Sequence, residues 1–511
     1  MNTTKRIVAM VLCFVLVGWA LYVSKYGVMS EENEFLSSTD KDSLVIWYTD
    51  DSLTDYINSA CVSFNEKYGI RVVPRLQSTD KYLEAINSAS VKDEGTPDLF
   101  LTTNDMLERA YLSGLAGEIK DNNNIVSNRY FPEAALNAVT YKGKLVAYPL
   151  YYETSALLYN ASYLQEMAQN IVLAETTDST FEIGGEVYNR DDSESMDEDA
   201  MAYRNMSQDE KIAYRIEEAI PDTFSELLDF ANTCDAPQNV EAIFKWDVKD
   251  IFYNYFFVGN YINVGGPSGD DTEQIDIYNI NTINSLTLYQ DMNQFFSFDY
   301  EDITYESVLN EFLEGKLVFT TATSDAIRRI ELAKEEGTFE YEYGTSTIPD
   351  INQFLSSRSM SVTDVVSVNG YSDKKESANE FARYLTVDYA INLYDMTGKL
   401  AACTNVNYDN EAISAFIEEY SDSVPVPKMM AASNYWLQAE LAFANIWSGK
   451  QVSKELQALS QQIKQQVTGL EIEEDYIEMP QEEQEETEYY DEEQLKQEAK
   501  DEDQEEQEEN E

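Results

Sequence analysis

The chain has 511 residues, with 95 Asp+Glu against 35 Lys+Arg, no histidine and four cysteines, for a formal charge of −60. That balance excludes nucleic acid as a partner, because no basic surface is available to release phosphate counterions. The missing histidine excludes Ser-His-Asp and Cys-His nucleophile pairs and every His-ligated zinc site. The cysteines are isolated, with no C-x-x-C for a zinc ribbon or thioredoxin-like pair, while 43% hydrophobic residues can bury the cores of two or three domains.

Lys5-Arg6 precedes an unbroken apolar run from Ile7 to Val23, followed by Ser24-Lys25. This is the layout of a signal sequence. The exit Trp19-Ala20-Leu21-Tyr22-Val23 lacks the small residues of a cleavage site, and 17 apolar residues suffice for a tilted span in a thin bilayer. Residues 1–28 are therefore expected as an uncleaved transmembrane anchor, with a cleaved signal peptide as the alternative. Lipoprotein processing at Cys13 is disfavoured by Leu12 before it. Lys5 and Arg6 hold the N-terminus in the cytoplasm and direct the acidic body outward. Cys61, Cys234 and Cys403 then lie outside the cell, an odd set to which no disulfide is assigned.

Residues 29–43 read as a polar tether. Leu44-Val45-Ile46-Trp47-Tyr48 is a continuous apolar run, the mark of a strand buried on both faces. After Thr49-Asp50-Asp51-Ser52, the residues Leu53, Tyr56, Ile57, Ala60, Cys61, Phe64 and Tyr68 recur at helical spacing, and Gly69 closes that helix. A strand over 70–73, a helix over about 81–89 and a strand over 97–101 follow. This βαβαβ order predicts a parallel, doubly wound sheet. Ligands of such sheets bind outside the carboxyl ends of the strands. Here those ends carry Asp50 and Asp51, then Asn104 and Asp105, which suit the hydroxyl donors of a polyhydroxylated ligand. Capping of the next helix is a compatible second role for Asp51 and Asp105.

Tyr141-Lys142-Gly143-Lys144 predicts a turn, and 151–160 a single strand of mixed aromatic and polar residues. Residues 166–219 carry 15 acids against 4 bases and are expected as a solvated insertion; their acids lack the spacing of an EF-hand. Ile251–Phe257 is an aromatic block expected as a core helix. Further predicted elements are a strand over 317–321, a helix starting at Ser324-Asp325, a strand over 362–369, a helix over 376–385 and a last helix through Leu456, Leu459, Ile463 and Val467. Beyond Leu470 the chain holds 22 acids and two lysines, a composition expected to stay disordered.

Several of these segments resemble the extracellular solute-binding proteins of carbohydrate ABC importers, the maltose-binding protein group. They are Leu44-Val45-Ile46-Trp47, Phe64–Val72, Pro97-Asp98-Leu99-Phe100 and Ala138–Pro149 with Glu153 and Leu158-Tyr159-Asn160. The series continues with Pro221-Asp222-Thr223-Phe224, Glu311–Lys316, Val368–Ser372 and Val426-Pro427-Lys428-Met429. The resemblance spans about 44–165 and 220–470 in the family's order. It implies an α/β fold of the periplasmic-binding-protein type II kind, with two lobes, a hinge and an interlobe cleft. Lobe 1 would comprise 44–151 and 366–405, lobe 2 152–365 and 406–470, and the acidic tail 471–511.

The same resemblance implies a non-catalytic protein that binds a sugar and docks on ABC permease subunits, without cofactor or metal. Asp51, Asp105 and Glu153 match acids that bind ligand hydroxyls in the family. At its ring-stacking positions the chain departs, with Thr102 and Asp325 where tryptophans are expected and Met106 in place of a basic residue. Tyr435 and Trp436 stand near the third such position, and Tyr48, Tyr151, Tyr152, Phe252 and Tyr253 are other candidate platforms. The rival reading keeps the fold but makes the protein an anchored scaffold or sensor that recruits a protein partner through its insertion and tail.

Overall fold

The computed structural model describes residues 43–92, 95–120, 124–234, 236–296 and 303–477. The expected anchor over 1–28, most of the tether and the tail beyond 477 lie outside them. Among the described residues, no helix is long and apolar enough to cross a membrane.

β1 (Leu44–Tyr48) is buried along its whole length, as a run apolar on both faces requires. α1 (Thr54–Tyr68) turns Tyr56, Ile57, Ala60, Cys61 and Phe64 inward, and Gly69 ends it at φ 72 with its amide on the Asn65 carbonyl. β2 (Val72–Leu76), α2 (Tyr82–Lys92) and β3 (Leu99–Thr103) complete the βαβαβ unit, with β2 and β3 parallel to β1 on either side.

The stretch expected as one strand over 151–160 is two strands in two sheets. β4 (Tyr148–Glu153) joins the first sheet and β5 (Ser155–Asn160) the second. The single residue between them, Thr154, is buried and donates its hydroxyl to the Met360 carbonyl at 2.9 Å. The polar residues Glu153-Thr154-Ser155 mark the break, which the single-strand reading took as part of one mixed strand.

Residues 166–219 depart from the expected solvated insertion. α3 (Ala161–Asp178), a hairpin of Thr180–Ile183 with Glu186–Asn189, α4 (Glu198–Asn205) and α5 (Gln208–Glu218) close over Phe181, Ile183, Tyr188, Ala200 and Tyr203. The unit is organised by Arg215, only 7% exposed. Its guanidinium pairs with Glu175 at 2.5 Å and with Glu218, and donates to the Tyr203 hydroxyl at 3.1 Å.

The second sheet has the order β6 (Ala242–Phe244), β7 (Leu317–Thr323), β5, β8 (Tyr343–Ser346). α6 (Asp325–Glu336) leaves the end of β7. The aromatic block is not the expected helix but two 3-10 turns, Ile251–Tyr253 and Tyr255–Phe257. Between them buried Asn254 donates to the carbonyls of Asp247 (3.2 Å) and Asp250 (2.7 Å), spending acceptors a continuing helix would need.

β9 (Met360–Val368) then returns to the first sheet and lies antiparallel between β3 and β4. With β10 (Leu400–Ala401) the order is β10-β4-β9-β3-β1-β2, and β11 (Val424–Pro425) pairs with the start of β9. The sheet is therefore mixed where an all-parallel one was expected. It takes in Tyr152, Glu153 and all of β9, whereas the expected lobe boundaries ran at 151/152 and 365/366. α7 (Tyr435–Trp447) and α8 (Val452–Thr468) pack on the second lobe. The result is two α/β lobes joined by crossing segments.

Candidate ligand-binding site

The site lies where β1 and β3 end and β4 and β9 cross between the lobes. Asp50 caps a short 3-10 turn, its Oδ1 accepting the Ser52 amide at 2.9 Å. Its other oxygen meets the Lys399 ammonium at 3.1 Å, and the same ammonium lies 3.6 Å from Glu153 at the end of β4 and 4.5 Å above the Tyr151 ring centre. Lys399 follows Gly398, which ends a short helix at φ 76. Burial pushes the Asp50 carboxyl up, but the Ser52 hydrogen bond and Lys399 together hold it below the ordinary carboxylate range. Burial likewise pulls the Lys399 ammonium down, and Glu153 and Asp50 outweigh it, so the group stays charged.

Asp364 is the third carboxylate of this floor. Register places it opposite Thr103 on β3 and Tyr151 on β4, at a shift in the β4–β9 ladder. Burial first, then the charge of Glu153, push it up to about 8, so it carries a proton at neutral pH beside the Tyr151 hydroxyl.

Two cavities open on either side of this cluster. One, of about 440 Å³, belongs to the first lobe and is lined by Thr49, Asp50, Thr102, Thr103, Met106 and Asp364 among others. The other, of about 480 Å³, lies between the lobes, with Tyr152, Glu153 and Lys399 facing Tyr253, Tyr305 and Asp325. Both volumes fall within the range of small-molecule sites.

The structure brings together some of the residues expected from sequence and separates others. Asp50, Tyr152, Glu153, Tyr253 and Asp325 line the cavities. Tyr152 is nevertheless mostly core, stacked parallel on Tyr420 at 3.6 Å. Tyr253 stacks on Tyr305 at 5.0 Å, and the Tyr305 hydroxyl donates to Asp325 at 2.7 Å. Asp51 is exposed beside the cluster and accepts the Thr54 hydroxyl at 3.1 Å. Asp105 takes the Thr103 hydroxyl, and burial raises its carboxyl.

Asn104, Tyr435 and Trp436 are placed away from both cavities. Asn104 is fully buried, donating to the Val426 carbonyl and accepting the Thr363 amide, each at 3.0 Å, so its amide group is spent on tying β9 to β11. Tyr435 is buried with its hydroxyl on that of Tyr255 at 3.2 Å, and Trp436 packs edge-on against the same ring. Tyr435 thus belongs to the core of the second lobe, with Trp436 half-buried beside it.

Sequence reasoning missed Lys399, Asp364 and Tyr305. Asp364 left one trace, a lone acid inside the apolar run Val362–Val368. What the assembled wall can do follows from its groups. Each carboxylate accepts several hydrogen bonds from hydroxyls, and the Tyr253–Tyr305 pair offers ring surface. Among the described residues, no group of acidic or sulfur side chains could hold a metal ion.

Comparison with known proteins places this geometry in context. Residues 59–419 match the family of bacterial extracellular solute-binding proteins. Among solved structures, the extracellular solute-binding protein from Staphylococcus aureus in complex with maltose shares 20% identity at a TM-score of 0.64, covering 84% of this chain and 98% of that one. A cyclo/maltodextrin-binding protein complexed with maltotetraose shares 18% at 0.62, over 84% and 98% of the two chains. The maltose-binding periplasmic protein MalE from Listeria monocytogenes, also in complex with maltose, shares 18% at 0.61, over 85% and 100%. These identities speak for the fold, while the family match covers more than two thirds of the sequence. The two-lobed chain with its cleft at the strand ends is therefore a member of the bacterial extracellular solute-binding protein family.

Proposed function

We propose that the protein is the solute-binding component of an ABC importer and that its ligand is a carbohydrate held between the lobes. The observation that carries this reading is the interlobe cavity, where Glu153 from one lobe faces Asp325 and the Tyr253–Tyr305 pair from the other. Hydroxyl donors of a sugar would be taken by the carboxylates and its apolar face by the rings. The sugar-bound neighbours of the same fold support this class of ligand. Thr102 and Asp325 replace expected stacking tryptophans, so a glucan preference like theirs does not follow. Binding would draw the lobes together about the crossing segments and present the closed form to permease subunits, with no chemical step. The apolar run Ile7–Val23 would tether the body to the outer face of the membrane.

The test is isothermal titration of the purified body against mono- and oligosaccharides, polyols and amino acids. Saturable heat with a sugar is the expected result. Heat with an amino acid alone would move the reading to another solute class, and none with any ligand would remove it.

A further inference from the structure

We propose that Lys399 partitions the binding cleft and thereby sets the length of ligand it accepts; this rests on the carbohydrate reading above and adds to it a specificity-determining residue. Lys399 and Glu153 line the interlobe cavity, whereas Asp50 and Asp364 line the first-lobe cavity. The 3.1 Å ion pair between Lys399 and Asp50 therefore runs from the wall of one cavity to the wall of the other. The alternation continues along the chain: Thr49, Asp50 and Leu53 face the first-lobe cavity, and Ser52 between them faces the interlobe one. The Lys399–Asp50 pair thus links the linings of two cavities of about 440 and 480 Å³.

That side chain is held rather than loose. It is only 19% exposed, its ammonium is clamped by Asp50 and Glu153, and it lies against the Tyr151 ring. The backbone that delivers it is also pinned. A Cβ on Gly398 would come within 2.9 Å of Arg328 Cδ from α6, so the loop is bracketed by a helix that starts in the second lobe. A half-buried ion pair with both partners satisfied resists rearrangement, because moving the lysine leaves two carboxylates facing each other without a cation. A ligand in the interlobe cavity therefore ends at Lys399. With the side chain removed, the two cavities are expected to join along the sheet edge.

The experiment compares the full chain with its Lys399→Ala, Lys399→Met and Lys399→Arg variants. The probes are linear maltose to maltoheptaose and the matching cello-oligosaccharide series, read by isothermal titration. For the unmodified protein, affinity is expected to level off at a short ligand. In Lys399→Ala it is expected to go on rising, the longest ligands binding at least about tenfold tighter than the plateau member. Lys399→Arg, with charge and bulk kept, is expected to retain the short plateau. Lys399→Met fills the same space without charge, so a retained plateau assigns the barrier to bulk and a lost one to the ion pair. The same dependence on length in Lys399→Ala and the unmodified protein would overturn the proposal.

Should neither series bind, these glucans are not the ligand, the broader titration above decides the carbohydrate reading, and crystal structures of the two unliganded proteins decide the partition. One continuous cavity in Lys399→Ala supports it, and two separate cavities in both overturn it.

Discussion

Asp364 shows how much of this site is set by environment rather than by residue type. A carboxyl pushed up to about 8 is protonated in the fold, while the same group in the unfolded chain titrates near its ordinary value of 3.8. Between those values the native state holds one more proton than the unfolded state. The contribution of Asp364 to stability is thus greatest below about pH 4 and declines as pH rises towards 8. Asp364→Asn keeps the shape and cannot ionise, so urea unfolding at pH 5 and pH 8.5 is expected to show the variant gaining on the parent at the higher pH, by a few kcal/mol at order of magnitude. The difference between the two proteins is the proper readout, because other buried groups also titrate there. Burial pushes Glu419 up to about 7 and pulls Lys428 down to about 7. An equal pH slope in both proteins would show that Asp364 is ionised at neutral pH.

At the scale of elements, legibility followed periodicity. The βαβαβ unit could be read because α1 repeats apolar residues at helical spacing and β1 is apolar throughout. Asp50 could be singled out because it stands at a strand end, and Glu153 only because the family resemblance matched it to a ligand-binding acid. Lys399 and Asp364 could not, since only the antiparallel placement of β9 and the loop before β10 bring them there. Charge counting misjudged 166–219 for a related reason. Its acid excess hides that Arg215 answers Glu175 and Glu218 from inside the unit, at 7% exposure for both Arg215 and Glu175.

Removing one partner of a buried pair costs about 3–5 kcal/mol, whereas replacing both by apolar groups can be nearly neutral. Arg215→Met is therefore expected to open the helices Glu198–Asn205 and Gln208–Glu218 to limited proteolysis, followed by mass spectrometry. Glu175→Met combined with Arg215→Met should restore much of the protection. A close backbone approach gives a second element-scale expectation. Gly370, just past β9, donates its amide to the Leu115 carbonyl at 2.7 Å, and a Cβ there would lie 2.2 Å from the Gly114 carbonyl oxygen. Gly370→Ala must push the two segments apart and is expected to lower stability by about 1–3 kcal/mol in chemical unfolding.

For the molecule as a whole, the decisive feature is how few covalent routes join the lobes while the cavity between them draws on both. The chain passes from the first sheet to the second at Thr154, between β4 and β5, and β9 carries it back. Glu153 therefore sits on a crossing strand of the first sheet, whereas Asp325 begins a helix of the second lobe. A ligand that touches only one wall would add its affinity without changing the relation of the lobes. A ligand that touches both favours the arrangement in which the walls face each other, by its differential affinity for that arrangement. Saturating sugar is accordingly expected to reduce the radius of gyration in solution scattering. At a concentration one hundred times Kd, it should also stabilise the fold by about 2.7 kcal/mol through mass action. Asp325→Asn separates the two effects. It removes a charged acceptor from the second wall alone, so affinity should fall about tenfold, and the compaction at full occupancy should shrink. Loss of affinity with undiminished compaction would mean that the first lobe alone reads the ligand and that closure is driven elsewhere.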